Sequence, residues 1–121
     1  MRTLTLSPSL GDLALIRGAV YRVDFGQTRG HEQRGRRLGI VLSPTDSPLS
    51  VMTIAPTSTS AGPSIHRPVL EIAGTQTRVL VDRIRSIDID YVHGDPIDYL
   101  SHNEMVEVES AVSRYLGVST I

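Results

Sequence analysis

The apolar residues of this chain arrive in short bursts that suit strands better than helices. VYRVDF spans residues 20–25, LGIVL 38–42, VMTIA 51–55, PVLEI 68–72 and VLVDRIRSI 79–87. Each is cut off by Gly, Pro or a polar cluster. Aromatic residues make up only 4% of the chain against 40% apolar residues in all. The core must therefore be built from Val, Ile and Leu, and β-branched side chains pack well on a pleated surface. LGIVL is apolar throughout, the pattern of a strand buried on both faces, and VMTIA is expected to end at Pro56. AGTQT separates the last two strands, and Gly94-Asp95-Pro96 reads as a turn, with room for a short strand after it.

One segment has helical period. Met105, Val108, Ala111, Val112, Tyr115 and Leu116 fall on one face of a helix. Ser101 and Glu104 form a capping box before it, and Gly117 is suited to the left-handed residue that ends it. The expected fold is mainly β with α: a small barrel or strongly bent antiparallel sheet closed by a C-terminal helix. At 121 residues the chain is sized for one core. The reading is an irregular leader over residues 1–16 and a single domain over 17–121.

The chain has no cysteine. That removes disulfides, thiol nucleophiles and Cys-ligated zinc, and suits a cytoplasmic setting. No run approaches about 18 apolar residues, so no membrane span is expected, and the N-terminus lacks the apolar stretch of a signal peptide. The four histidines, 31, 66, 93 and 102, show no metal-ligand spacing, so no metal is expected; His102 falls in the first helical turn and His66 and His93 in loops. Asp88 and Asp90 could share a strand face, but an exposed strand end is the simpler account. Glu104, Glu107 and Glu109 lie off the apolar face of the helix, as a solvated surface.

Net charge is −1, yet it is divided: residues 1–60 carry seven Arg against four acids, and residues 61–121 five Arg against nine acids. The cations concentrate in the polar stretch of residues 26–37, read as a long loop. Arg29, Arg34, Arg36 and Arg37 stand there with His31 around a single acid, Glu32. Four guanidiniums so close repel one another unless anions lie nearby, and a phosphodiester backbone supplies them. A solvated basic loop is the alternative from charge alone. Thr57, Ser58, Thr59 and Ser60 follow the third strand, where hydroxyls can contact phosphate or simply make a turn.

The order of these segments resembles the MazF/PemK (Kid) family of toxins. RGAVYRVDFGQTRGHEQRGRRLGIVLSP is similar to that family's RG-x-[VI]-[YW]-x-V-[DN] strand, its G-S-E-Q-x-G-x-R-P loop and the V-V-V-x-S strand that follows. IAPTSTS resembles the strand ending in Thr, VLVDRIRSID the D/E-Q-[IV]-R-[ST]-[IV] strand, and YLSHNEMVEVESAVSRYLG the closing helix. The likeness is collinear over about residues 16–118. It implies an SH3-like barrel that acts as a homodimer. It further implies metal-independent cleavage of single-stranded RNA by the RNA 2′-hydroxyl, and inhibition by an antitoxin tail lying in the RNA groove. DNA would be bound only through the antitoxin complex.

By the same resemblance the catalytic pair is Arg37 and Thr57, and Glu32, Gln33 and Arg85 line or support the groove. With them as RNA-binding candidates stand Arg29, His31, Arg34, Arg36, Ser58 and Arg83. A guanidinium keeps its proton at neutral pH, so Arg37 suits stabilising the charged phosphorane better than removing a proton. Thr57 could then hydrogen-bond a non-bridging oxygen. His31 stands where the family has Ser, and could supply the proton transfer. Leu38 replaces the family's Pro, and Arg83 its Gln. Two other readings stay open: a toxin of the same barrel that binds a protein such as gyrase, and a non-catalytic nucleic-acid module that represses its operon with a partner.

Overall fold

The computed structural model describes residues 15–26, 36–45 and 50–118. Three strands form its centre: β1 (Ala19–Asp24), β2 (Arg36–Val41) and β3 (Val51–Ser58). They pair antiparallel, with Val20 opposite Ile40 and Ile40 opposite Ala55. Successive side chains leave a strand on opposite faces. Val20, Ile40 and Ala55 therefore gather in one cluster, and Tyr21, Val23, Val41 and Ile54 in another with Phe25, Met52 and Ile87. With both faces covered, LGIVL has no reason to alternate. Burial pushes the Tyr21 hydroxyl above the ordinary phenol range, while the Ile16 N–H that donates to it works the other way.

Five expectations are corrected. The polar loop does not reach Arg37, because β2 already begins at Arg36. β3 does not end at Pro56 but runs on to Ser58. The Pro56 carbonyl accepts from the Leu80 N–H at 2.8 Å, so its nitrogen faces that same edge, where β3 changes partner. There β6 (Arg85–Asp88) pairs with residues 51–54, and β5 (Thr75–Val79) with Thr57 and Ser58. A missing N–H is tolerated where no ladder bond falls due.

The expected strand over 79–87 is broken by a 3₁₀ turn, Val81–Arg83, and AGTQT is no mere connection. β4 (Val69–Ile72) and β5 form a hairpin around Ala73 and Gly74, with φ of 51° and 81°. Two successive positive φ values make the tight turn that matches strand twist. Polar Thr75, Gln76 and Thr77 hid β5 from a hydropathy reading, although Thr77 and Val79 alternate inward. Finally, the turn expected at 94–96 lies inside β7 (Val92–Tyr99). β7 pairs with β1 at both ends, Arg22 opposite His93 and Val20 opposite Asp98, and residues 94–97 bulge out between. Gly94, at φ 74°, supplies the left-handed residue at the start of the bulge.

The strands lie in the order β4-β5-β3-β2-β1-β7, with β6 beside β3. The sheet curls into a half-barrel until its ends meet: the Ala73 N–H at the hairpin tip donates to Asp98 of β7 at 2.7 Å. Helix α1 (His102–Leu116) closes the structure. Ser101 accepts from the Glu104 N–H at 3.1 Å and Glu104 from the Ser101 N–H at 2.8 Å, the expected capping box. Gly117, at φ 69°, ends it, with Val118 bonded back to Ser113. Val108 and Ala111 enter the core, whereas Tyr115 and Leu116 stay exposed. Arg17 fastens the helix to β1, donating to the Leu42 carbonyl and pairing with Glu109. Among the described residues no helix is long and apolar enough to cross a membrane.

Candidate nucleic-acid interface

The end of β3 is the anchor of the site. Thr57 is held between β2 and β5, only 4% exposed, and its hydroxyl donates to the Leu38 carbonyl at 2.9 Å. Ser58 is buried beside it, its oxygen accepting from the N–H groups of Ser60 and Ala61 at 3.1 and 3.0 Å. That bonding makes a Ser-turn, so part of the hydroxyl capacity of this stretch serves the loop. One strand away, Arg36 and Arg37 open β2, opposite Asp24 and Val23 of β1.

Curling of the sheet turns these positions toward a shared cavity of about 670 Å³. Arg36, Arg37, Leu38, Thr57, Ser58 and Thr59 line one side of it. The β4–β5 hairpin supplies another wall through Ile72, Ala73, Thr75 and Thr77. Arg22 and His93 complete the lining. Three Arg residues line this space and, among the described residues, no Asp or Glu does, in a chain whose net charge is −1. Such a lining attracts a polyanion, and the Thr hydroxyls and apolar patches give it places to hold sugar and base.

The structure thus brings Arg36, Arg37, Thr57 and Ser58 together. Arg83 and Arg85 are not among the described residues that line the cavity. Arg83 ends the 3₁₀ turn, with Nε 3.9 Å from Asp82. Arg85 pairs with Ile54, in the first half of β3 and away from Thr57. Its guanidinium lies 5.5 Å over the Phe25 ring, and Nη1 is buried with no hydrogen-bond partner among the described residues. Arg29, His31, Glu32, Gln33 and Arg34 lie outside the described residues. Asp88 and Asp90 form no paired site: Asp88 accepts from the Asp90 N–H at 2.9 Å and caps a 3₁₀ turn. Among the described residues no cluster of three His, Asp or Glu could hold a metal ion.

Neither Arg22 nor His93 is a site candidate in the sequence reading, which expects His93 in a loop; it lies in β7 instead. Arg22 had a signal: it stands two residues after Val20, so strand period puts a guanidinium on a core-facing side. His93 had none, because its segment reads as a turn. Beyond the cavity, Arg67 grips Asp82 with two bonds, Nε to Oδ1 at 3.0 Å and Nη2 to Oδ2 at 2.8 Å. This clamp ties the segment after β3 to the 3₁₀ turn and holds the Asp82 carboxyl below the usual carboxylate range.

Comparison with known proteins agrees with this fold. The family described as PemK-like, MazF-like toxin of type II toxin-antitoxin system matches residues 16–116. A protein of Mycobacterium tuberculosis (strain ATCC 25618 / H37Rv) assigned as a toxin is 64% identical over 105 residues, covering 86% of this chain and 99% of that one. The crystal structure of MazF from Deinococcus radiodurans superposes with a TM-score of 0.78 at 26% identity, over 88% of this chain and 100% of that one. An endoribonuclease from Mycobacterial species, solved with its cognate antitoxin, gives a TM-score of 0.72 over 89% of this chain and 100% of that one; at 19% identity it speaks for the fold alone.

Proposed function

Because the chain belongs to the PemK-like, MazF-like toxins of type II toxin-antitoxin systems, we propose that it is a metal-independent endoribonuclease for single-stranded RNA. The observation that carries this reading is the cavity lined by both Arg37 and Thr57, with no Asp or Glu among the described residues around it. The RNA 2′-oxygen attacks the adjacent phosphorus and the P–O5′ bond breaks. The products are a 2′,3′-cyclic phosphate and a 5′-hydroxyl. Arg37 stabilises the charge that builds on the phosphorane, through the two-pronged contact a guanidinium makes with phosphate oxygens.

The role of Thr57 differs from the one its position alone suggests. Its single proton is directed at Leu38, so toward substrate it offers lone pairs rather than a donor. It therefore accepts from the attacking 2′-hydroxyl and aims it. One proton leaves that hydroxyl and another reaches the 5′-oxygen. His31, in the cationic segment, is the group we assign to this transfer, and an unchanged pH–rate profile in His31→Ala would remove it from the mechanism.

The protein acts as a homodimer in the cytoplasm and is held in check by a cognate antitoxin covering the RNA groove. The MazE-MazF complex of Deinococcus radiodurans supports that partnership. Purified protein incubated with single-stranded RNA in EDTA should cut it and leave cyclic phosphate ends. Arg37→Ala and Thr57→Val should each lower the rate by about 10²–10³, the scale of one lost stabilising group in an active site, while melting as folded proteins. Wild-type rates in both variants, or intact RNA with every protein, would overturn the assignment. Intact RNA with capture of a protein target would favour the protein-binding alternative. A gel shift on operator DNA, without cleavage, would favour the co-repressor.

A further inference from the structure

The cavity contains more chemistry than the reaction uses. Arg22 and His93 line it but stand apart from Thr57. Arg22 is paired with Leu38 on one side and His93 on the other, and directly opposed residues share a face of a sheet. Thr57 extends the same row, its hydroxyl on the Leu38 carbonyl. The row runs His93, Arg22, Leu38, Thr57 across β7, β1, β2 and β3. At the ordinary spacing of strands Arg22 is about 10 Å and His93 about 14 Å from Thr57 along the sheet. Those separations suit a flanking nucleotide and not the phosphate under attack.

Both side chains are exposed. Among the described residues neither side chain makes a hydrogen bond or ion pair, so both are free to meet a ligand. Their position is built. The bulge of β7 starts directly after His93, and the Ala73–Asp98 bond ties β7 to the hairpin on the opposite wall. Bulges beside a binding site re-aim the neighbouring side chain.

We infer that Arg22 and His93 form a subsite for one nucleotide flanking the cleaved bond, Arg22 on its phosphate and His93 stacked on its base. The substrate class rests on the ribonuclease reading; the test does not require cleavage. Guanidiniums take phosphate in a two-pronged contact, and unpaired RNA bases stack on His. Arg22 then adds affinity without regard to sequence, and His93 adds preference at one position.

The test is a binding selection with a random pool of single-stranded 2′-fluoro RNA, which lacks the attacking hydroxyl. Wild type, Arg22→Ala, His93→Ala, His93→Gln and Arg37→Ala are compared, each checked for a wild-type melting curve. His93→Ala should flatten preference at one position only and weaken the best sequence about tenfold, the scale of one stacked base. His93→Gln should not restore it, since an amide does not stack as a ring does. Arg22→Ala should weaken all sequences alike and shrink the slope of log K against log salt by about 0.7. Arg37→Ala should leave the flanking preference in place. Profiles and affinities like wild type in both Arg22→Ala and His93→Ala overturn the subsite, as does a wild type that binds no RNA. Altered binding together with a wild type that cuts nothing would keep the subsite and remove the ribonuclease reading.

Discussion

Gly39 is where this fold tolerates least. It sits in β2 opposite Pro56, between the Leu38 carbonyl that receives Thr57 and the buried Ile40. A Cβ added there would lie 2.5 Å from Ile54 Cγ2 and 3.2 Å from Val23 Cγ2. Ordinary carbon contacts begin near 3.5 Å, so β2 and β3 must part by about 1 Å or Ile54 must leave its rotamer. Ile54 is fully buried and β-branched, and has nowhere to go. Overpacking of this kind costs about 1–3 kcal/mol. The backbone at Gly39 is not left-handed, so Ala also restricts the unfolded chain, a gain of about 0.4–1 kcal/mol.

The clash wins, and Gly39→Ala should be destabilised by about 1–2 kcal/mol. For a chain of this size that is a fall of roughly 4–8 °C in Tm. Urea and thermal melts of the single variant and of the pair with Ile54→Ala provide the assay. Ile54→Ala alone removes the offending methyl and leaves a cavity. In that background Gly39→Ala should cost nothing or stabilise slightly. An equal loss in both backgrounds would refute the steric argument.

Asp82→Asn should cost about 1–2 kcal/mol, because it leaves a two-bonded, largely buried Arg67 without its counter-charge. Since folding lowers the Asp82 pKa, its contribution is complete above the unfolded value of about 3.9 and is lost as pH falls through the folded one. Wild type and variant should therefore differ equally at pH 7 and pH 5 and converge below pH 4 in urea melts. Ala73→Asn should stabilise by about 0.5–1 kcal/mol by putting a residue tolerant of positive φ before Gly74; a lower Tm would contradict the turn assignment. Ser101→Ala should cost about 1 kcal/mol by uncapping the Glu104 N–H, seen as a lower Tm with unchanged helix content at 25 °C.

What could be read without coordinates was whatever is encoded locally. The caps and apolar face of α1 depend on residues three or four apart, so Ser101, Glu104, Val108, Ala111 and Gly117 sufficed to place it. β1, β2 and the start of β3 followed from runs of Val and Ile. Arg37 and Thr57 were visible through the order of segments. Three-dimensional structure decided what depends on which strand lies beside which. Pro56 survives inside β3 because the partner changes at that point. Polar TQTRV becomes a strand because β4 folds back on it. Arg85, seven residues beyond Arg78 of that strand, goes to Phe25 instead of the cavity. Arg22 and His93, 71 positions apart, become neighbours through the register of β1 on β7. Pairing register is a long-range property, and no window of sequence contains it.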